Sequence, residues 1–139
     1  MNKSGEIVEE SWRILESGQL GRLEEVWATD IEMKGPGASL RGLAQLRPYL
    51  EAWFTAFPDL KHQVVSTVDA GDTVTVELRI TGTHTGPMRT PKGELPPTGR
   101  KVVWEACDVM QIAHGKVSSW HAYVDQISFL AQLGLLPAP

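Results

Sequence analysis

The sequence predicts an α+β domain in which three helices precede a long, curved, mainly antiparallel sheet and a short helix closes the chain. Apolar residues recur at helical spacing as far as Phe57, and from Leu60 onward they alternate with polar residues at the period of a strand. No stretch of the chain has the composition of a linker, so residues 1–139 are expected to form one domain.

The helical region contains predicted helices over residues 5–17, 20–28 and 42–57. Ser4 is the predicted N-cap of the first helix, and Gly18 is predicted to end it. A short strand over 31–34 and a Gly-Pro-Gly turn over 35–37 are expected before the third helix. Most aromatic residues of these segments are predicted to be core, with one or two lining a cavity: Trp12, Trp27, Tyr49, Trp53 and Phe57.

The strand region is predicted to contain four strands, over 61–68, 73–85, 100–113 and 116–124. A closing helix is expected over 126–133, with Asp125 as its N-cap. Residues 86–100 are rich in Pro and Gly. They are predicted to form a long mobile loop, which is a candidate lid.

Composition argues against several classes of function. The net charge is −4 and no basic run is present, so nucleic acid is not an expected partner. No apolar run approaches the roughly 20 residues that cross a bilayer, and no signal-peptide core is visible. A single cysteine, Cys107, fits a reducing compartment, so a cytoplasmic location is expected.

Metal and cofactor chemistry find no support in the sequence. Four histidines are present without the spacing of metal ligands: His62, His84, His114 and His121. No glycine-rich phosphate loop, dinucleotide fingerprint or nucleophile elbow occurs. We therefore expect neither a metal nor a cofactor.

One aspartate stands inside an apolar stripe of the strand predicted over 100–113. Alternation puts Asp108 on the face that carries Val102, Trp104, Ala106, Met110 and Ile112. A carboxylate in such surroundings either finds a hydrogen-bond partner or has its pKa raised. Asp108 is therefore the predicted acid/base residue of a small-molecule pocket. The alternative is a structural carboxylate that bonds a backbone N–H or an indole.

Several short motifs stand in a defined order along the chain: Phe57-Pro58-Asp59-Leu60, Gly82-Thr83-His84-Thr85-Gly86, Pro97-Thr98-Gly99-Arg100, Gly115-Lys116-Val117 and Gln132-Leu133-Gly134-Leu135. With the order of elements, they resemble the SnoaL-like polyketide cyclases of the nuclear transport factor 2-like superfamily. The resemblance covers nearly the whole chain and implies a cone-shaped α+β barrel. It also implies aldol ring closure without metal or cofactor, although this fold hosts other activities and non-enzymatic modules.

The resemblance assigns the family's catalytic positions to particular residues. Family cyclases use an aspartate on the last strand as acid/base and a histidine on the preceding strand as its helper. These positions fall on Ala122 and Asp108 in this chain, and an asparagine of the first short strand falls near Met33. The resemblance therefore implies a pocket whose catalytic constellation is altered and more apolar.

The face that carries Asp108 is expected to line the pocket. On the last strand, the inward residues are predicted to be Ser118, Trp120, Ala122 and Val124, and the outward ones Val117, Ser119, His121 and Tyr123. The predicted substrate contacts are Trp104, Trp120, Met110, Ala122, Met33, Trp53 and Phe57. For Trp104 and Trp120 the alternative is that they only fill the core. His84 ends the buried face of its strand. It is either a partner of Asp108 at the pocket rim, stabilising an oxyanion, or a surface histidine.

The opposite face of the sheet is expected to form a homodimer interface, because proteins of the family that the chain resembles commonly form a two-fold dimer there. If the two faces were inverted, Asp125 with His121 and Tyr123 would be the alternative catalytic set. The leading hypothesis is a cofactor-independent cyclase or isomerase acting by acid/base chemistry on a hydrophobic, polyketide-like carbonyl compound. The alternatives are a non-catalytic binding module for an apolar or aromatic molecule, which Ala122 favours, and a structural dimerisation domain.

Overall fold

The structure is a computed structural model that describes residues 3–90 and 92–136. Its helices are α1 (Lys3–Ser17), α2 (Leu43–Ala56) and α3 (Gln126–Gln132), with a 3₁₀ helix at Leu20–Glu25. Its strands are β1 (Trp27–Gly35), β2 (Ala38–Arg41), β3 (Lys61–Asp69), β4 (Thr73–Thr83), β5 (Met88–Thr90), β6 (Gly93–Leu95), β7 (Lys101–Ala113) and β8 (Lys116–Val124). The order of helices and strands is that of the predicted α+β class.

Six of the strands form one curved sheet in the order β2-β1-β8-β7-β4-β3. Strands β1 and β8 run parallel, and the other neighbours in this sheet are antiparallel. The β5–β6 hairpin forms a separate two-stranded sheet. The predicted fold, helices packed on a curved and mainly antiparallel sheet with a short closing helix, is confirmed.

The core lies between the inner face of the six-stranded sheet and the helices. Buried and exposed residues alternate along β7 from Lys101 to Met110 because successive side chains of a strand point to opposite faces. α1 packs against β3, β4 and β8, and α2 packs against β1 and β2. The buried residues of α2 recur at helical spacing: Leu43, Leu46 and Leu50.

The second predicted helix is wrong over its last residues. Leu20–Glu25 form a 3₁₀ helix, and Trp27 already belongs to β1. Trp27 is fully buried and pairs with Val117 of β8. Strand pairing and burial of the indole therefore override helical spacing at this point. For the same reason the strand predicted over 31–34 is longer and spans Trp27–Gly35.

Ser4 is not the N-cap that the sequence predicts, because α1 already includes Lys3. The Ser4 hydroxyl instead donates to the carbonyl of Gly71 in the turn between β3 and β4. The backbone N–H of Gly5 donates to the carboxylate of Asp69 at 2.8 Å. The start of α1 is thus fixed to that turn. Gly18, with φ of 76°, ends the helix as predicted.

Two hairpins are present that alternation does not reveal. β2 pairs with β1 across the turn over 35–37, and Met33 stands opposite Leu40. The segment 86–100, predicted as a loop, contains the β5–β6 hairpin. Strands of three or four residues are too short to display a period of two.

β8 contains one residue more than the stretch of β7 that it faces. Gln111 pairs with Ser119 and Ile112 with Val117, so Ser118 has no opposite partner, as in a β-bulge. The bulge turns Val117 into the core, where it is fully buried. The predicted outward orientation of Val117 is therefore wrong. Beyond the bulge, side chains alternate between the inner and the outer face as predicted, with Trp120 buried and Tyr123 exposed.

Both ends of the segment 86–100 are held against the rest of the molecule. The N–H of His84 donates to the carbonyl of Arg100 at 2.9 Å, and the N–H of Gly99 donates to the carbonyl of His84 at 2.8 Å. A Cβ atom at Gly86 would lie 1.8 Å from the carbonyl oxygen of Thr55. Only glycine permits this approach to the end of α2.

Candidate functional site

A cavity of about 100 Å³ lies between the inner face of the sheet and side chains of α1, α2 and α3. Its lining is mainly apolar, with few polar side chains, among them Tyr49, His62, Asp108 and Gln126. Pro36, which also belongs to the lining, is exposed, and Gln126 is half-buried. The lining therefore reaches the protein surface at the β1–β2 turn.

Asp108 is the buried carboxylic acid of this cavity. It is 3% exposed, and its neighbours on the adjacent strands are Val76 and Ala122. Burial raises the pKa of Asp108 to about 7, and the nearby Trp120 side chain opposes this rise. Near neutral pH both the protonated and the ionised forms are therefore populated. This is the condition for a group that accepts a proton and later returns it.

Aromatic side chains form several walls of the cavity. The ring centroid of Trp104 lies 4.7 Å from that of Phe129 and 6.3 Å from that of Trp53. Trp120, on β8, lines the cavity from the neighbouring strand. Offset and tilted ring contacts of this kind leave flat apolar surfaces. The walls thus suit a flat, apolar ligand.

Five of the seven predicted contact residues line the cavity: Met33, Trp53, Trp104, Trp120 and Ala122. The other two, Met110 and Phe57, are fully buried and lie behind the lining. Met110 pairs with Trp120 on β8 and supports it from the strand side. Phe57 packs against Trp53 and Trp104, with centroid separations of 6.0 and 5.8 Å.

His84 occupies neither of the positions that the sequence suggests. It is fully buried, so it is not a surface histidine, and it is not among the residues that line the cavity. Its Nδ1 lies 2.9 Å from the Thr98 hydroxyl and accepts from the Thr98 N–H at 3.2 Å. Burial lowers the pKa of His84, and the backbone of Gly86 opposes this effect. The neutral ring ties segment 86–100 to the core.

Two polar lining residues, His62 and Gln126, are not predicted from the sequence. His62 pairs with Ile80 of β4, which also lines the cavity. Alternation along β3 could have identified it, since Lys61 and Gln63 point the other way. Tyr49, expected on a helix that covers the sheet, also lines the cavity. Burial raises the pKa of its hydroxyl, Trp53 opposes this rise, and the charge of Asp108 adds to it.

The outer face of the sheet carries exposed apolar side chains. Val65 is 63% exposed, Tyr123 61% and Val103 39%. Together with Glu105 and the partly buried Cys107, they define what we call the outer patch. Burial raises the pKa of the Cys107 thiol, and the nearby Asp108 and Glu77 charges add to that rise.

The alternative catalytic set lies outside the cavity lining. His121 Nε2 is 3.0 Å from the Glu32 carboxylate, and this hydrogen bond lowers the pKa of Glu32. Asp125 caps α3 by accepting from the N–H of Ser128 at 3.1 Å, as predicted. Tyr123 belongs to the outer patch. The faces of the sheet are therefore as predicted and not inverted.

Within residues 3–90 and 92–136, no three His, Cys, Asp or Glu side chains are grouped so that they could hold a metal ion. The absence of a metal and of a cofactor stays a prediction. None of the helices in these ranges combines the length and the apolar character needed to cross a bilayer.

Comparison with protein families gives one match that covers most of the chain. The profile of the SnoaL-like polyketide cyclases matches residues 6–133. No curated protein sequence matches significantly.

Several solved structures resemble this one in fold. AclR from Streptomyces galilaeus, provisionally described as a hydroxylase, has a TM-score of 0.81 at 24% identity, over 97% of this chain and 87% of its own. A protein of Jannaschia sp. CCS1, provisionally described as a SnoaL-like polyketide cyclase, has a TM-score of 0.85 at 21% identity. The match covers 97% of this chain and 94% of that protein. A SnoaL-like polyketide cyclase from Agrobacterium tumefaciens strain C58 has a TM-score of 0.79 at 20% identity. The match covers 96% of this chain and 100% of that protein. At these identities the likeness establishes the fold alone.

Proposed function

The chain belongs to the SnoaL-like polyketide cyclase family, and from that premise we propose that it is an enzyme that performs acid/base chemistry on a hydrophobic carbonyl compound without a cofactor. One observation carries the proposal: Asp108 is a carboxylic acid buried in an aromatic-walled cavity, and this burial raises its pKa to about 7. Because proteins of this fold differ in activity, the proposal rests on this site and not on the fold.

In the proposed reaction, ionised Asp108 removes a proton from the carbon next to a carbonyl, and the electron pair of the C–H bond forms an enolate. In a ring closure, the enolate carbon attacks a second carbonyl of the same molecule, and the new alkoxide takes the proton back from Asp108. In an isomerisation, the proton returns to a different carbon. Tyr49, whose pKa is raised by burial, stays protonated and is a donor for the enolate oxygen.

The first step can be tested without the natural substrate. We expect the protein to accelerate exchange of the α-protons of 2-tetralone for deuterium in D₂O at pH 7.5, as followed by proton NMR. Asp108→Asn removes the base and is expected to lower the rate to that of buffer alone. Asp30→Asn, which changes an exposed aspartate of β1, is the matched control and should exchange as the wild type does.

The binding-module alternative makes the opposite prediction for this assay. It is favoured by Ala122, which stands directly opposite Asp108 on β8 at the position where the family's aspartate is expected. If 2-tetralone bound to the wild type without exchange, and Ala122→Asp alone then introduced exchange, the protein would be a binding module that has lost its base.

We further propose that the outer patch is the interface of a homodimer. Its exposed valines and Tyr123 lie on the face opposite the cavity, and burying them between two copies would remove apolar surface from water. Sedimentation of the wild type at micromolar concentration is expected to give a dimer, and Tyr123→Glu is expected to give a monomer. Ile127→Glu, at a residue of α3 that is 74% exposed, is the control and should stay dimeric. A monomeric wild type would contradict the proposal.

A further inference from the structure

His62 is a second polar group of the cavity, and the proton transfer proposed for Asp108 gives it no task. It pairs with Ile80 of β4, whereas Asp108 pairs with Val76, four residues earlier on the same strand. The two positions are therefore separated by about 13 Å along β4. Both side chains line the cavity, and their backbone positions stand well apart across it.

The ring of His62 is held in one orientation from two sides. It stacks on Trp12 with a centroid separation of 4.7 Å and an interplanar angle of 15°. Its Nδ1 lies 3.4 Å from Oε1 of Glu16 on α1, and the same oxygen accepts from the backbone N–H of His62 at 2.6 Å. These contacts lower the pKa of Glu16, with a smaller contribution from Lys61, so the carboxylate is ionised.

Nδ1 is itself buried and makes no hydrogen bond to a described residue, so Nε2 is the ring nitrogen that is left for a ligand. In the part of the chain that the structure describes, Nε2 makes no hydrogen bond, although the side chain is only 10% exposed. A hydroxyl group of a ligand both donates and accepts hydrogen bonds, so it matches a ring nitrogen of fixed direction whichever ring nitrogen carries the proton.

We propose that His62 binds a hydroxyl group of the ligand and that Glu16 is the residue that positions it. The substrate class is then an aromatic or polycyclic carbonyl compound with a hydroxyl group at the end remote from the reacting carbonyl. This inference rests on the proposed function for the identity of the reacting end. The hydroxyl contact itself requires binding and not turnover.

The test compares 6-hydroxy-2-tetralone with 2-tetralone, which differ by one hydroxyl group. Dissociation constants are measured at pH 8 through tryptophan fluorescence. The wild type is expected to bind the hydroxylated compound about 3- to 10-fold more tightly. His62→Phe keeps a ring against Trp12 and is expected to bind both compounds equally well. Glu16→Gln should retain part of the preference, and His114→Asn, at an exposed histidine between β7 and β8, should retain all of it.

Equal affinities in the wild type would overturn the assignment of His62, as would a preference that survives in His62→Phe. Failure of both compounds to bind at millimolar concentration would also count against it. Deuterium exchange is recorded on the same samples, so the two proposals can fail separately. A hydroxyl preference without exchange supports the assignment of His62 and removes the proposed reaction.

Discussion

Replacing Asp108 with Asn is expected to raise the free energy of unfolding by about 4 kcal/mol at pH 8 and to change it little at pH 4. The cause is the difference between the pKa of Asp108 in the folded protein, about 7, and its ordinary value of 3.8. Between these two pH values the unfolded chain releases the proton and the folded chain keeps it. The free energy of unfolding of the wild type therefore decreases as the pH rises toward 7. Above pH 7 its difference from that of Asp108→Asn stays constant.

Urea denaturation of the wild type and Asp108→Asn at pH 4, 6 and 8 measures this effect. Asp30→Asn, at an exposed aspartate, is the control. Its difference from the wild type in free energy of unfolding should not grow with pH. A carboxyl-carbon NMR titration, with Asp108→Asn to assign the signal, gives the folded pKa directly. A stability gap that does not depend on pH, or a pKa near 4, would mean that the carboxylate is hydrated or hydrogen-bonded and is not poised for catalysis.

Phe57→Ala is expected to lower the free energy of unfolding by about 3–5 kcal/mol, a large part of the stability of a domain of this size. Phe57 is fully buried, and its ring contacts those of Trp104, Phe129 and His84 at centroid separations of 5.8, 5.8 and 5.4 Å. Its side chain also packs on Gly82, where an added Cβ would lie 3.1 Å from it. Removing the ring leaves a void that these neighbours fill only in part.

The measurement is chemical denaturation monitored by tryptophan fluorescence. Phe54→Ala is a matched control, since Phe54 lies on α2 but is only half-buried and borders the cavity. We expect a clearly smaller loss for Phe54→Ala. Equal losses in the two variants would contradict the view that Phe57 supports the cavity from behind.

The sequence predicts those parts of the structure that local patterns determine. The alternation from Val102 to Met110 is enough to place Asp108 on the buried face, because a strand has only two faces. The same reasoning correctly separates Trp120 from Tyr123. The acid/base candidate and most of the aromatic wall therefore follow from the sequence, although their chemical roles stay proposals.

Other features depend on contacts between residues far apart in the chain. Trp27 joins β1 because it pairs with β8, which lies about ninety residues later. No Gly or Pro marks the bulge at Ser118, so the reversed orientation of Val117 is invisible in the sequence. His84 is buried because Thr98 folds back onto its ring. Nor does the sequence show that Glu16 of α1 meets His62.

The attachment of segment 86–100 has a consequence for how this chain can change over evolution. The two ends of the segment are held by the backbone of His84 and by the pairing of Thr83 with Lys101, so the sheet sets the distance between them. Lengthening the intervening stretch adds only a logarithmic entropy term, about 0.6 kcal/mol for each doubling. Insertions between the two ends therefore leave the sheet and Asp108 in place. Since none of the described residues of this segment lines the cavity, its length can change over evolution without altering the site.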